Sequence, residues 1–159
     1  MIIVGITGSM AMGKSTVAKL IKQLGRFPVM DADAEVKKLY CQPRILQKIA
    51  TLDDGLVRFG KIQRHELATF ILKDAGNVLC LEDILYPELA KIRKKFLMKC
   101  QSIGMELVFL DIPLLIEKKM QGLCNYVIVV HCPEWLQQRR LKRRQGQSEE
   151  LKKLLQQQQ

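Results

Sequence analysis

The stretch Gly8-Ser9-Met10-Ala11-Met12-Gly13-Lys14-Ser15-Thr16 constrains this chain more than any other. It completes the pattern GxxxxGK[ST] directly after the apolar run Ile2–Thr7, which suits a strand buried on both faces. A helical stretch from Ser15 to about Leu24 follows, closed by Gly25. Strand, glycine-containing loop and helix in that order build an anion cradle, because backbone N–H groups and the helix dipole converge on one spot. Phosphate is the ligand such a loop is made for. Lys14 is placed to reach the β- and γ-phosphates of a nucleotide, and the Ser15 hydroxyl to bind Mg²⁺.

The rest of the pattern alternates strands with helices. Pro28–Met30 reads as a short strand ending in Asp31-Ala32-Asp33, after which a helix resumes from Ala34 to about Tyr40. The middle, from about Cys41 to Gln101, reads as mostly helical. Loop signals there are Asp53-Asp54-Gly55, Gly60, Asp74–Asn77 and Tyr86-Pro87. Glu106–Leu110 and Tyr126–Val130 give two more strands, and Pro133-Glu134 opens a basic helix containing Trp135. The fold class is therefore α/β, with a parallel sheet covered by helices.

Composition narrows the function classes. At 159 residues, one domain can bury its own core. With 48% hydrophobic and 26% charged residues, disorder is excluded. No apolar run is long enough to span a bilayer, so no membrane partner is expected. The run beginning at Ile2 follows no basic leader, which sets a cytoplasmic expectation. The five cysteines are scattered, form no CxxC pair and have only two histidines for company, so reduced thiols are expected rather than a zinc site. The formal charge of +10 concentrates in Lys91–Lys99 and Arg139–Lys153. Without interleaved aromatics, that charge points to a phosphate-rich small substrate and to no nucleic acid.

Three further features bear on phosphoryl transfer. Leu107-Val108-Phe109-Leu110-Asp111 puts a carboxylate at the end of an apolar strand, where open parallel sheets hold ligands. Asp111 then positions metal or water, or caps the turn before Pro113. Asp33 ends another strand; it is a candidate base for the attacking hydroxyl, or else the cap of the following helix. Arg140 and Arg144 stand four apart on one helical face. They read as a lid closing over ATP phosphates, or as a solvated charged face. No guanine-reading NKxD exists, so a switch GTPase is excluded. A nucleotide kinase or an ATPase remains.

Taken in order, these motifs resemble the dephospho-CoA kinase family. Gly5 through Thr16 matches its opening, and Asp31-Ala32-Asp33 matches its DAD. Gly60-Lys61-Ile62-Gln63-Arg64 and Leu81 through Pro87 match its middle motifs. Asp111-Ile112-Pro113-Leu114-Leu115-Ile116-Glu117 matches its D-x-P-L-L-x-E, and Gln137 through Arg144 its Q-x-x-R-L-x-x-R. Departures are Ser9 and Ala11 for loop glycines, Met12 for serine, Gln63 for aspartate and Tyr86 for histidine.

The resemblance implies a P-loop NTPase-type three-layer sandwich forming a single kinase domain. Its core covers about 1–35 and 105–134, with a helical CoA-binding insertion at about 36–104 and a lid at about 135–150. The family continues into a further strand and final helix, whereas this chain stops at Gln159, so that strand is expected to be missing beside Tyr126–Val130. The implied reaction transfers the ATP γ-phosphate to the ribose 3′-hydroxyl of dephospho-CoA, with Mg²⁺, in the last step of coenzyme A biosynthesis. Asp33, Lys14 and Arg140 are the implied catalytic residues. Gly8 through Thr16, with Arg140 and Arg144, would bind ATP. Asp33, Arg64, Asp111, Pro113 and Leu115 would bind the acceptor, and Ser15 and Asp111 the metal. A monomer or weak homo-oligomer is expected. Rival readings are a kinase of the same build with another acceptor, and a non-enzymatic relative that binds nucleotide without catalysis or serves as a basic nucleic-acid binder.

Overall fold

The computed structural model describes residues 1–25 and 27–143. The chain forms two compact units, one of Met1–Ala32 with the segment from Phe96 onward, the other of Asp33–Lys95.

The first unit is built on a sheet. Its strands are β1 (Ile2–Thr7), β2 (Val29–Asp31), β5 (Leu107–Asp111) and β6 (Tyr126–Val129). They lie in the order β2-β5-β1-β6, and each neighbouring pair is parallel. Parallel neighbours cannot be joined by tight turns, so the chain crosses over between them, and the two inner strands are covered on both faces. That requirement explains the unbroken apolar runs: Val4, Ile6, Val108 and Leu110 are all buried. Helix α1 (Lys14–Leu24) packs Ala18 and Ile21 against Val4, Ile6, Val29 and Phe109. The register sets Ile6 beside Asp111, Asp111 beside Asp31, and Thr7 beside Val129. All four strands thus end together, at the edge where an open parallel sheet receives ligands.

The second unit is mainly helical. It holds α2 (Ala32–Leu39) from Asp33 onward, α3 (Pro43–Ala50), α4 (Arg64–Lys73) and α5 (Ala75–Ser102) as far as Lys95. Leu39, Ile45, Ile49, Leu56, Leu81 and Leu85 form its core. The helical spacing of Ile45 with Ile49, and of Leu81 with Leu85, puts each pair on one face. Glu88 continues the face of α5 and is buried there, paired with Arg44 and Lys91. The hydrogen bond from Lys91, with the Arg44 guanidinium, holds its carboxyl below the usual range against the opposing effect of burial.

Three sequence expectations are corrected here. Between α3 and α4, in a stretch expected to be mostly helical with a loop at Gly60, the chain makes a hairpin of β3 (Val57–Arg58) and β4 (Lys61–Ile62). Its tip residues Phe59 and Gly60 both have positive φ, as two-residue hairpin turns require. Helix α2 starts at Ala32, two residues before the expected Ala34, so Asp33 lies in its first turn. Finally, Pro87 is no loop marker: it sits inside the 28-residue α5. Burial of Leu81 and Leu85 on one side, and continued helix on the other, outweighs the proline.

That proline has a measurable cost. It removes the N–H that would bond the Asp83 carbonyl, and its ring crowds that carbonyl. A helix-interior proline costs about 3 kcal/mol, against about 0.4–1 kcal/mol of unfolded-chain stiffening. Pro87→Ala is expected to raise stability by about 2–2.6 kcal/mol, read as a higher urea midpoint. An unchanged or lower midpoint would show that the helix has already absorbed the kink. Among the described residues, no helix is long and apolar enough to cross a membrane.

Candidate active site at the strand ends

The loop from Gly8 to Gly13 takes its shape from three residues with positive φ: Gly8 at 151°, Ala11 at 66° and Gly13 at 104°. Gly8 is also pressed against Val130, the residue that follows β6. A Cβ built there would lie 2.4 Å from the Val130 carbonyl oxygen, so no other residue fits. Gly13 is the N-cap of α1 and opens the helix in the left-handed conformation. No side chain caps that helix start and no acidic residue lies in its first turn, so its positive end is left for an anion. Met12 N–H closes a turn onto the Ser9 carbonyl at 3.2 Å.

Ala11 is the unusual member. An L-residue with a Cβ pays about 1–2 kcal/mol in the left-handed region, and here it is also buried. Ala11→Gly is expected to relieve that strain. Part of the gain is lost to the greater freedom of glycine in the unfolded chain, leaving roughly 0.5–1 kcal/mol. A rise in melting temperature checks this, and a fall would place the preference for alanine in packing.

Lys14 and Asp111 come together. The Lys14 ammonium donates to Asp111 Oδ1 at 2.5 Å, with the two side chains 12% and 2% exposed. They meet because β5 runs beside β1 and Asp111 stands opposite Ile6, just before the loop. A lysine from the helix start and a carboxylate from the strand end therefore share one nearly closed spot. Ser15 is exposed one residue further along α1.

The basic helix α6 (Glu134–Arg143) lies against the same loop. Arg140 Nη1 donates to the Ala11 carbonyl at 3.1 Å, and Gln137 Nε2 donates to the Met10 carbonyl at 2.9 Å. The Met12 thioether accepts the Cys132 backbone N–H at 3.2 Å, just before α6. Arg144, the other arginine expected in a lid, lies outside the described residues, as does the rest of that segment to 150. Gln137 opens the Q-x-x-R-L-x-x-R stretch and Met12 lies in the loop, but nothing in the sequence pattern shows that their side chains meet backbone atoms. Only the heptad-independent spacing of Gln137 and Arg140, three apart, hints that they share a face.

The other expected residues are placed as follows. Pro113 is half-buried in the turn after β5. Leu115 has no exposed surface; its Cδ1 lies 3.0 Å from where a Cβ on Gly5 would stand, so it is core rather than cleft wall. In the helical unit, Asp33 is exposed in the first turn of α2, and Arg64 is exposed at the start of α4. Gln63 stands at the N-cap of α4, but its side chain makes no capping bond; its amide donates to the Arg58 and Lys61 carbonyls and ties the hairpin instead. Tyr86 donates from its hydroxyl to Glu82 at 2.9 Å. Burial and that bond push its pKa well above the ordinary value, so the phenol stays protonated at neutral pH.

Comparison with known proteins gives one answer. The dephospho-CoA kinase family model matches residues 2–159. The chain is similar to the dephospho-CoA kinase of Bartonella henselae, 40% identical over 147 residues that cover 92% of this chain and 75% of the relative. The Bartonella quintana dephospho-CoA kinase is 38% identical with the same coverage. Among solved structures, a Thermus thermophilus protein aligns with a TM-score of 0.76 at 33% identity, over 92% of this chain and 74% of that one. The dephospho-CoA kinase of Campylobacter jejuni aligns with a TM-score of 0.58 at 27% identity, over 98% and 79%.

Proposed function

This chain belongs to the dephospho-CoA kinase family, and we propose that its strand-end site moves the ATP γ-phosphate to the ribose 3′-hydroxyl of dephospho-CoA with Asp33 as base. The observation that carries this reading is the phosphate loop with Lys14 and Asp111 joined at 2.5 Å beside it. A loop N–H cradle, an uncapped helix start and a lysine together stabilise charge on a transferring phosphoryl group. On binding ATP, Lys14 exchanges its contact with Asp111 for the β- and γ-phosphate oxygens.

Asp111 and Ser15 offer hard oxygen donors of the kind Mg²⁺ takes, so this donor set fits the ion. When bound, Mg²⁺ would neutralise charge across the β- and γ-phosphates. Asp33 would accept the proton of the attacking hydroxyl, a role open to it because its carboxylate is exposed. Arg140 would offer its remaining guanidinium N–H groups to the ATP phosphates, and Arg64 would meet the anionic groups of the acceptor. In the cell the protein would work in the cytoplasm, as a monomer or weak homo-oligomer, without nucleic acid or membrane.

An acceptor comparison tests the proposal. With ATP and Mg²⁺ present, turnover is measured with dephospho-CoA, with adenosine and with AMP, and repeated after chelation with EDTA. The reading requires dephospho-CoA to be strongly preferred and turnover to cease on chelation. Equal or faster turnover of adenosine or AMP would assign the site to another acceptor.

A further inference from the structure

The phosphate loop is held from outside as well as shaped from within. Gln137 and Arg140, three apart on one face of α6, donate to the two consecutive carbonyls of Met10 and Ala11. Each peptide unit is planar, and no peptide bond among the described residues is cis. In a trans peptide the carbonyl of one residue and the N–H of the next point in opposite directions. Pinning the Met10 carbonyl onto α6 therefore aims the Ala11 N–H away from α6. The same unit leads into Ala11, whose left-handed φ of 66° is costly for an alanine. Such a conformation persists only where neighbours over-determine it.

We propose that Gln137 is a positioning residue: its amide locks the Met10–Ala11 peptide so that the Ala11 N–H is presented to the ATP phosphates. Arg140 has a charge of its own to offer a phosphate. Gln137 is neutral, so its contribution passes through the loop's shape. Without it, the Met10–Ala11 peptide can rotate and release the strain at Ala11, turning a carbonyl toward the place where an anion must sit. The effect then falls on ATP, with no reason to reach the acceptor. This inference rests on ATP being the nucleotide bound here, and it holds whichever acceptor is used.

The test measures MgATP affinity by isothermal titration calorimetry, a readout independent of the acceptor, alongside dephospho-CoA affinity and thermal melts. Gln137→Met keeps the length and loses the donor. Gln137→Glu keeps length and polarity but sets a carboxylate against a carbonyl, and it serves if the methionine variant fails to fold. Gln138→Met, on the exposed side of α6, is the control. One lost hydrogen bond predicts MgATP binding weakened about threefold to tenfold in Gln137→Met, and more in Gln137→Glu. Dephospho-CoA affinity and melting temperature should match those of the control. The parent's MgATP affinity in both variants would overturn the proposal. So would weakening of both ligands together with a lowered melting temperature, since that marks Gln137 as a support for α6 alone.

Discussion

Asp33→Asn is expected to lower kcat about 100- to 10,000-fold, the range a lost general base produces. The replacement has the same shape and still accepts a hydrogen bond, but it cannot take the proton of an attacking hydroxyl. Asp33 lies in the first turn of α2, where a negative charge also stabilises the helix. That second role is small, about 0.3–1 kcal/mol, so the variant should stay folded at assay temperature. The two roles separate cleanly. A base gives a large loss of kcat with almost the parent's melting temperature. A mere helix-terminus charge gives a slightly lower melting temperature and unchanged kcat.

Lys14→Met comes next, with an expected loss of about 100- to 1,000-fold in kcat, as for removal of one preorganised charge-stabilising donor. It should also cost about 1.5–3 kcal/mol of stability, because Asp111 is only 2% exposed and loses the charge-assisted bond from Lys14. The stability loss and the activity loss have different origins. Adding Asp111→Asn to Lys14→Met removes the buried charge and should restore much of the stability, while activity stays at or below that of the single variant because a proposed Mg²⁺ ligand is lost as well. Recovery of kcat in the double variant would mean that Lys14 serves only to neutralise Asp111.

Much of the site could be read in the residues because its parts obey strong local rules. Ile2–Thr7 is too apolar to be anything but a doubly covered strand, and a GxxxxGK[ST] loop behind it leaves little freedom. The same logic places Asp111 at a strand end, and its register against Ile6 brings it to Lys14. What could not be read depends on packing or on backbone direction. The hairpin β3–β4 has two residues per strand, too few for an alternating pattern to register. Pro87 is a strong breaker locally, but the buried face through Leu81, Leu85 and Glu88 decides in favour of helix. Leu115 belongs to a motif, yet its side chain turns under β1, where Gly5 leaves room for it. Gln137 reaches a carbonyl, and carbonyl directions leave no mark on residue types.

The helical unit carries the second lesson. The two side chains read as departures from the family pattern make local bonds: Gln63 ties the hairpin, and Tyr86 engages Glu82 on its own helix. Each of these side chains finds its partner within a few residues. Ala11 is the opposite case. The left-handed geometry stays where glycine is usual, and donors from α6 hold it.

The most direct measurement follows the phosphate itself. The protein is incubated with dephospho-CoA, Mg²⁺ and ATP labelled at the γ-phosphate, and the product is fragmented in a mass spectrometer to locate the label. The account predicts CoA carrying the labelled phosphate on the ribose 3′-oxygen, at a rate that collapses in Asp33→Asn. Label released as inorganic phosphate, or found on another acceptor while dephospho-CoA remains unchanged, would contradict it.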